Sequence, residues 1–111
     1  MIYLASPYTH PDRLVREMRY IQTAKVMREL LANKQKVYSP IVHCHYVANV
    51  FELPTTYEFW LEYNFHFIDL ADSVSVLTLE GWSESKGVKA EIDYATKVGK
   101  PISYLNESNF R

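Results

Sequence analysis

Four short apolar runs, separated by longer stretches of helical periodicity, constrain this chain more than any other feature. Ile2–Ala5 runs into Ser6-Pro7, and Lys36-Val37-Tyr38 runs into Ser39-Pro40. Ser73–Leu77 is rich in β-branched residues, and Ile102–Leu105 follows Gly99 and Pro101. Runs of this length bounded by turn residues read as strands. Between the first two, Leu14, Met18, Ile21 and Leu31, with Val15, Met27 and Leu30 beside them, predict an amphipathic helix over about 11–33. Thr9 is placed to cap it, with Pro11 in its first turn and Asp12 three residues after the cap. A second helix is expected over about 56–70 and a third over about 87–99, with Gly99 as C-cap and Pro101 behind it. Residues 41–55 lack a clean period and read as a loop with room for a short helical piece.

Alternation of strand and helix implies parallel pairing with helices on both faces. The expected fold is an open, mainly parallel, doubly wound α/β sheet of four to five strands, flavodoxin-like, in one domain over 1–111. Ligands of such sheets bind beyond the carboxyl ends of the strands. Ser6–His10, Ser39–His45 and Leu79–Gly87 therefore converge on one mouth.

Composition narrows the partners. A 48% hydrophobic content supports a packed core, and a net charge of −1 leaves no cluster of Lys and Arg for phosphates of a nucleic-acid duplex. The lone Cys44 permits no internal disulfide and suits a reducing compartment. The first residues carry no basic leader and read as a buried strand, not a signal peptide, and no apolar run reaches membrane-spanning length. A cytoplasmic protein is expected, bacterial, or in a host cytoplasm if phage-encoded. Tyr57, Phe59, Trp60, Tyr63, Phe65 and Phe67 crowd the second helix with more aromatic surface than one sheet face can cover, which predicts a homodimer or higher homo-oligomer.

Glu91 is the residue most suited to chemistry. It shares a helical face with Val88, Ala95 and Val98, beside Ile92, so a carboxylate sits on the stripe facing the sheet near the mouth. One reading is a nucleophile or general base; the other is an acid that merely complements the helix dipole. Ser83, Ser85 and Gly87 precede the same helix and would form an anion site from free N–H groups, though Ser85 would equally serve as a plain N-cap. The first helix, after Ser6, offers a similar set of donors. His43, Cys44, His45 and His66 do not complete a metal-ligand spacing, so no metal is expected, and His45 or His43 is expected as a polar pocket wall. Tyr8 and Trp82 lie on mouth loops and suit base stacking, whereas Trp60 is expected in the core.

In order along the chain stand Tyr3-Leu4-Ala5-Ser6-Pro7-Tyr8, Ala71-Asp72, Gly81-Trp82-x-x-Ser85-x-Gly87-x-x-x-Glu91 and Gly99-Lys100-Pro101. With these the chain resembles the nucleoside 2-deoxyribosyltransferase-like superfamily, closest to its short bacterial and phage branch; nucleoside 5′-monophosphate N-glycosidases belong to the same superfamily. The resemblance implies cleavage or transfer at an N-glycosidic bond without a cofactor. Glu91 matches the carboxylate that attacks the anomeric carbon, and Tyr3 the tyrosine that orients it. Ser85 matches a serine for the 5′-phosphate, where transferases carry an aspartate, so a monophosphate substrate is implied. Two departures stand out. The family's usual aspartate eight residues before Asp72 is here Asn64, an amide able to bind a base edge but unable to act as an acid. The chain also ends at Arg111, where members that lend a residue to a neighbouring subunit carry more chain. With Asn64 in place, protonation of the leaving base would come from water or His45 and turnover would be slow. The competing reading is a nucleotide-binding protein without turnover, a sensor or sequestering protein.

Overall fold

Every strand pair in this protein is parallel: Ile2–Ala5 (β1) pairs with Val37–Tyr38 (β2) on one side and with Ser73–Leu77 (β3) on the other, and β3 pairs with Ile102–Leu105 (β4). The computed structural model describes residues 1–110. The sheet order is β2-β1-β3-β4, the flavodoxin-like doubly wound arrangement. The chain steps outward from β1 to β2 and then crosses back to β3. That reversal leaves a crevice beyond the carboxyl ends of β1 and β3.

Side chains alternate across the strands, so each face has its own core. Tyr3, Ala5, Val74 and Val76 point to the layer formed by Tyr57–Leu70 (α3) and Lys86–Lys97 (α4), where Ile68, Val88 and Ala95 close the core. Leu4 and Leu77 point to the opposite layer and meet Val26 of Arg13–Ala32 (α1), with Met27 and Leu30 packed alongside.

The inward stripe of α1 differs from the expected one. Leu14 is 75% and Met18 61% exposed, and Ile21 and Leu31 also face outward, while Thr23 and the 2%-exposed Val26 are buried. Thr23 is tolerated inside because its hydroxyl donates to the carbonyl of Arg19 at 2.7 Å. Arg19 itself reaches across the loop after β1 to donate to the carbonyl of Thr9 at 3.1 Å. Satisfied polar groups thus occupy the sheet side, and apolar residues are left outside.

Further boundaries differ. Asp12, not Thr9, caps α1, accepting from Leu14 N at 2.9 Å; Thr9 instead donates to the Thr55 carbonyl at 3.0 Å. Residues 41–55 are not mainly loop, because Pro40–Val50 forms a helix (α2) with Pro40 in its first turn and Ser39 accepting from Val42 N at 3.2 Å. Its periodicity is hard to see because apolar residues lie all round it: Ala48 is buried while Tyr46, Val47 and Val50 are exposed. The helix α4 ends at Lys97 with Val98, not Gly99, at its C-cap, and Gly99 follows as the left-handed residue that closes the turn. Gly99 has φ 76°, a left-handed conformation, and Lys100 N closes back on the Ala95 carbonyl at 2.9 Å.

The aromatic residues of α3 largely find partners within the chain. Phe65 stacks on Tyr94 at 4.1 Å and Phe67 on Tyr38 at 4.2 Å, while Trp60 and Tyr63 meet edge to face. Only Phe59 and Leu70 of the large apolar residues in this helix are exposed. The surplus of outward apolar surface lies on α1 and α2 instead. No described helix is long and apolar enough to cross a membrane.

Candidate active site

Parity along β1 and periodicity along α4 bring Tyr3 and Glu91 together. Tyr3 shares its strand face with Ala5, and Glu91 shares its helix face with Val88 and Ala95, all in one core. Val98, expected on the same stripe, lies at the C-cap and is exposed. The Tyr3 hydroxyl donates to Oε2 of Glu91. Tyr3 is fully buried and Glu91 is only 5% exposed. Burial disfavours the carboxylate and raises its pKa from 4.5 to about 7, partly countered by the hydrogen bond from Tyr3. The phenol of Tyr3 is held well above its ordinary range, by desolvation first and then by the charge of Glu91.

Glu91 lines a cleft at the mouth of the sheet. Its walls come from the loop after β1 (Ser6, Tyr8), from α2 (Cys44, His45), from α3 (Tyr57, Trp60, Asn64) and the turn before it (Thr55, Thr56), and from the start of α4 (Ser85, Gly87). None of the described residues lining it is a lysine or arginine.

Each expected site residue has a definite place. Ser6 is buried within hydrogen-bond reach of Thr23, at 3.3 Å. Ser85 caps α4, accepting from Val88 N at 3.2 Å, and also lines the cleft, so its two readings are compatible. Gly87 lies where a Cβ would come within 3.2 Å of Tyr57 Cβ, so the missing side chain lets that ring in. Asn64 lines the cleft with its Oδ1 buried and without a hydrogen-bond partner among the described residues. Trp82 does not line the cleft; it packs on Tyr104 at 5.6 Å, over the α3/α4 core. Trp60, expected in the core, lines the cleft instead and donates its Nε1–H to the Pro54 carbonyl at 2.8 Å.

The histidines separate as well. His45 is 7% exposed and built into the cleft wall, whereas His43 packs against Tyr38 at 5.5 Å and His66 lies exposed on α3. Cys44 faces the cleft half-buried, its thiol pushed up by desolvation and so kept from the reactive thiolate form. Among the described residues, no three His, Cys, Asp or Glu side chains gather as a metal site.

A hydrogen-bonded network surrounds His45, with no local sequence pattern to mark it. His45 Nε2 meets Glu17 Oε2 at 2.9 Å, and His45 Nδ1 meets the Tyr8 hydroxyl at 2.7 Å. Asn49 donates to the same hydroxyl at 2.9 Å, and Tyr20 stacks on the imidazole at 4.0 Å. The i,i+4 spacing of His45 and Asn49 hints at shared orientation, but Glu17 lies on a different helix and carries no local signal.

The profile of a family described as Domain of unknown function (DUF1937) matches residues 1–107. No curated protein matches the chain.

Proposed function

The chain belongs to the DUF1937 family, and from the resemblance of its motifs together with the buried Tyr3–Glu91 pair we propose that it cleaves or transfers the N-glycosidic bond of a nucleoside 5′-monophosphate, with Glu91 as nucleophile. From the resemblance of its motifs we infer that it belongs to a short branch of the nucleoside 2-deoxyribosyltransferase-like superfamily. The observation that carries the reading is the buried Glu91 carboxyl, hydrogen-bonded by Tyr3 and lining the same cleft as Ser85 and Asn64.

In this mechanism the Glu91 carboxylate attacks the anomeric carbon as the base departs, forming a glycosyl-enzyme that water or a second base resolves. Tyr3 holds the attacking carboxylate in one orientation. A desolvated carboxylate next to a developing oxocarbenium ion gains charge compensation that it lacks in the free enzyme. The 5′-phosphate rests at the first turn of α4, on free backbone N–H groups and the Ser85 hydroxyl, with Gly87 allowing close approach. Asn64 Oδ1 accepts from an N–H on the base edge, which would remove the roughly 1–3 kcal/mol cost of a buried unpaired acceptor. Trp60 and Tyr57 supply the aromatic walls in place of Trp82.

Asn64, an amide at the position of the expected aspartate, favours one competing reading, nucleotide binding without turnover. Incubating the protein with common ribo- and deoxyribonucleoside 5′-monophosphates and scoring free base by chromatography separates the two. Base release supports the enzyme; tight binding with no release selects the sensor or sequestering protein. The reading includes action in the cytoplasm, bacterial or of an infected host, and self-association through the outward apolar residues of α1 and α2, such as Leu14, Met18, Tyr46 and Val50.

A further inference from the structure

The loop after β1 brings Ser6, Tyr8 and Thr9 to the cleft, yet among the described contacts no backbone-to-backbone hydrogen bond reaches residues 7–11. Side chains hold its main chain instead. Arg16 donates to the carbonyls of His10 at 2.5 Å and Pro11 at 3.4 Å, which ties the loop to α1. Arg19, on the next turn of α1, donates through Nη1 to the carbonyls of Tyr8 at 3.4 Å and Thr9 at 3.1 Å. Its Nη2 goes further and donates to the Glu80 carbonyl at 3.4 Å, in the loop after β3. One guanidinium thus joins the two loops that lead to Tyr8 and to Ser85. Gly81 makes room for it: φ is 87°, and a Cβ there would come within 2.6 Å of Arg19 Nη2. From Gly81 a hydrogen-bonded turn runs to Ser85, with Trp82 N on the Leu79 carbonyl at 3.0 Å, Glu84 N on Gly81 at 3.3 Å and Ser85 N on Trp82 at 3.2 Å. In the other direction Thr9 Oγ1 donates to the Thr55 carbonyl at 3.0 Å, in the turn before α3.

We propose that Arg19 is a positioning residue: by clamping the loop after β1 to the loop after β3, it fixes Tyr8 and Ser85 relative to one another before substrate enters. This rests on the glycosidase reading above. Arg19 does not line the cleft, so it acts on substrate only through these loops. Glu80, Arg19, Thr9 and Thr55 form one linked rim, and Arg19 is the member that bridges two loops at once. Without the clamp, substrate has to order both loops as it binds, and that ordering is subtracted from the binding free energy. A displacement of about 1 Å, far from the chemistry, is enough to cost about 10²-fold.

Arg19→Met keeps the stem of the side chain and removes its donors. Steady-state base release from whichever nucleoside 5′-monophosphate is cleaved should show KM raised by about 10- to 10²-fold, with kcat changed much less. A purely structural loss would instead lower the folded fraction, which reduces apparent kcat and leaves KM unmoved. Gly81→Ala attacks the same contact from the other side, should also raise KM, and serves if Arg19→Met folds poorly. Added to Arg19→Met it should raise KM no further, because the contact is already gone. In ligand-free protein, hydrogen exchange followed by NMR should be about tenfold faster or more at the amides of Trp82, Glu84 and Ser85 in Arg19→Met than in the native chain. Native exchange at these amides, an unmoved KM, or KM losses that add in the double variant would each overturn the clamp. Native protein that releases no base from any nucleotide would sink the glycosidase reading, and exchange at residues 82–85 would then decide the clamp by itself.

Discussion

Replacing Glu91 by Gln should stabilise the protein at neutral and alkaline pH, and only there. The folded protein holds this carboxyl at about 7, against 4.5 when solvated. Tenfold in a protonation equilibrium is about 1.4 kcal/mol, so ionised Glu91 costs the native state on the order of 3 kcal/mol. Because the folded value lies above the unfolded one, the native state binds more protons between these two pH values. Stability from the neutral carboxyl is therefore fully present below pH 4.5 and is lost as pH rises through about 7. A glutamine keeps the shape, accepts from Tyr3, and never ionises. Urea unfolding at pH 5 and at pH 8 should show a small gap between variant and native protein at the first pH. At the second the variant should lead by roughly 3 kcal/mol, equivalent to about 10–20 °C in Tm for a domain this size. Base release should vanish in the same variant. An equal gap at both pH values, or a variant less stable at pH 8, would show that burial does not perturb this carboxyl as described.

Ser85→Ala should weaken monophosphate binding by about 1.5–3 kcal/mol and leave the matching nucleoside nearly unaffected, read by calorimetry; equal losses would place the phosphate elsewhere. Because Ser85 also caps α4, the same variant should lose about 1 kcal/mol of stability without ligand. Asn64→Asp should raise base release above a slow native rate, with an acid-shifted optimum because the new carboxyl has to be protonated to donate; a native enzyme already fast at neutral pH and slowed by this change would show that the aspartate's role is not vacant. Val26→Ala should cost roughly 1–3 kcal/mol by opening a cavity under the sheet, whereas Met18→Glu should change monomer stability by less than about 0.5 kcal/mol. Reversed magnitudes in denaturant unfolding would restore the expected α1 stripe.

The strands were legible because each is short, apolar and closed by a turn residue, and parallel pairing followed from the helices between them. What misled was the assumption that apolar side chains on a helix face inward. In α1 the sheet-facing line passes through Arg19, Thr23 and Val26, whose polar members find carbonyl partners, so Leu14 and Met18 were left over for solvent. In α2 apolar residues surround the axis, and no pattern separated helix from loop. Trp60 and Trp82 exchanged places for a related reason. Helical spacing says which residues share a face, but α3 has one face on the sheet and another on the cleft, and spacing alone does not tell them apart.

Tyr3 with Glu91 was easier to foresee than Tyr8 with His45 and Glu17, and the physical reason bears on function. A carboxylate on an otherwise apolar stripe contradicts the local pattern, so it stands out in sequence; its cost of about 3 kcal/mol when ionised is not offset by a cationic partner, since Tyr3 is its one hydrogen-bond donor among the described contacts. A group placed purely for stability would be better as glutamine or leucine at that position. The His45 network has no such signature, because Glu17, His45, Tyr8 and Asn49 satisfy one another and each looks ordinary on its own element. It becomes visible only when the fold brings α1 against α2 beside the same cleft. On the proposed reading, a carboxyl whose ionised form is disfavoured by burial gains most as positive charge develops on the sugar carbon, while the mutually satisfied network beside it holds the cleft wall in place.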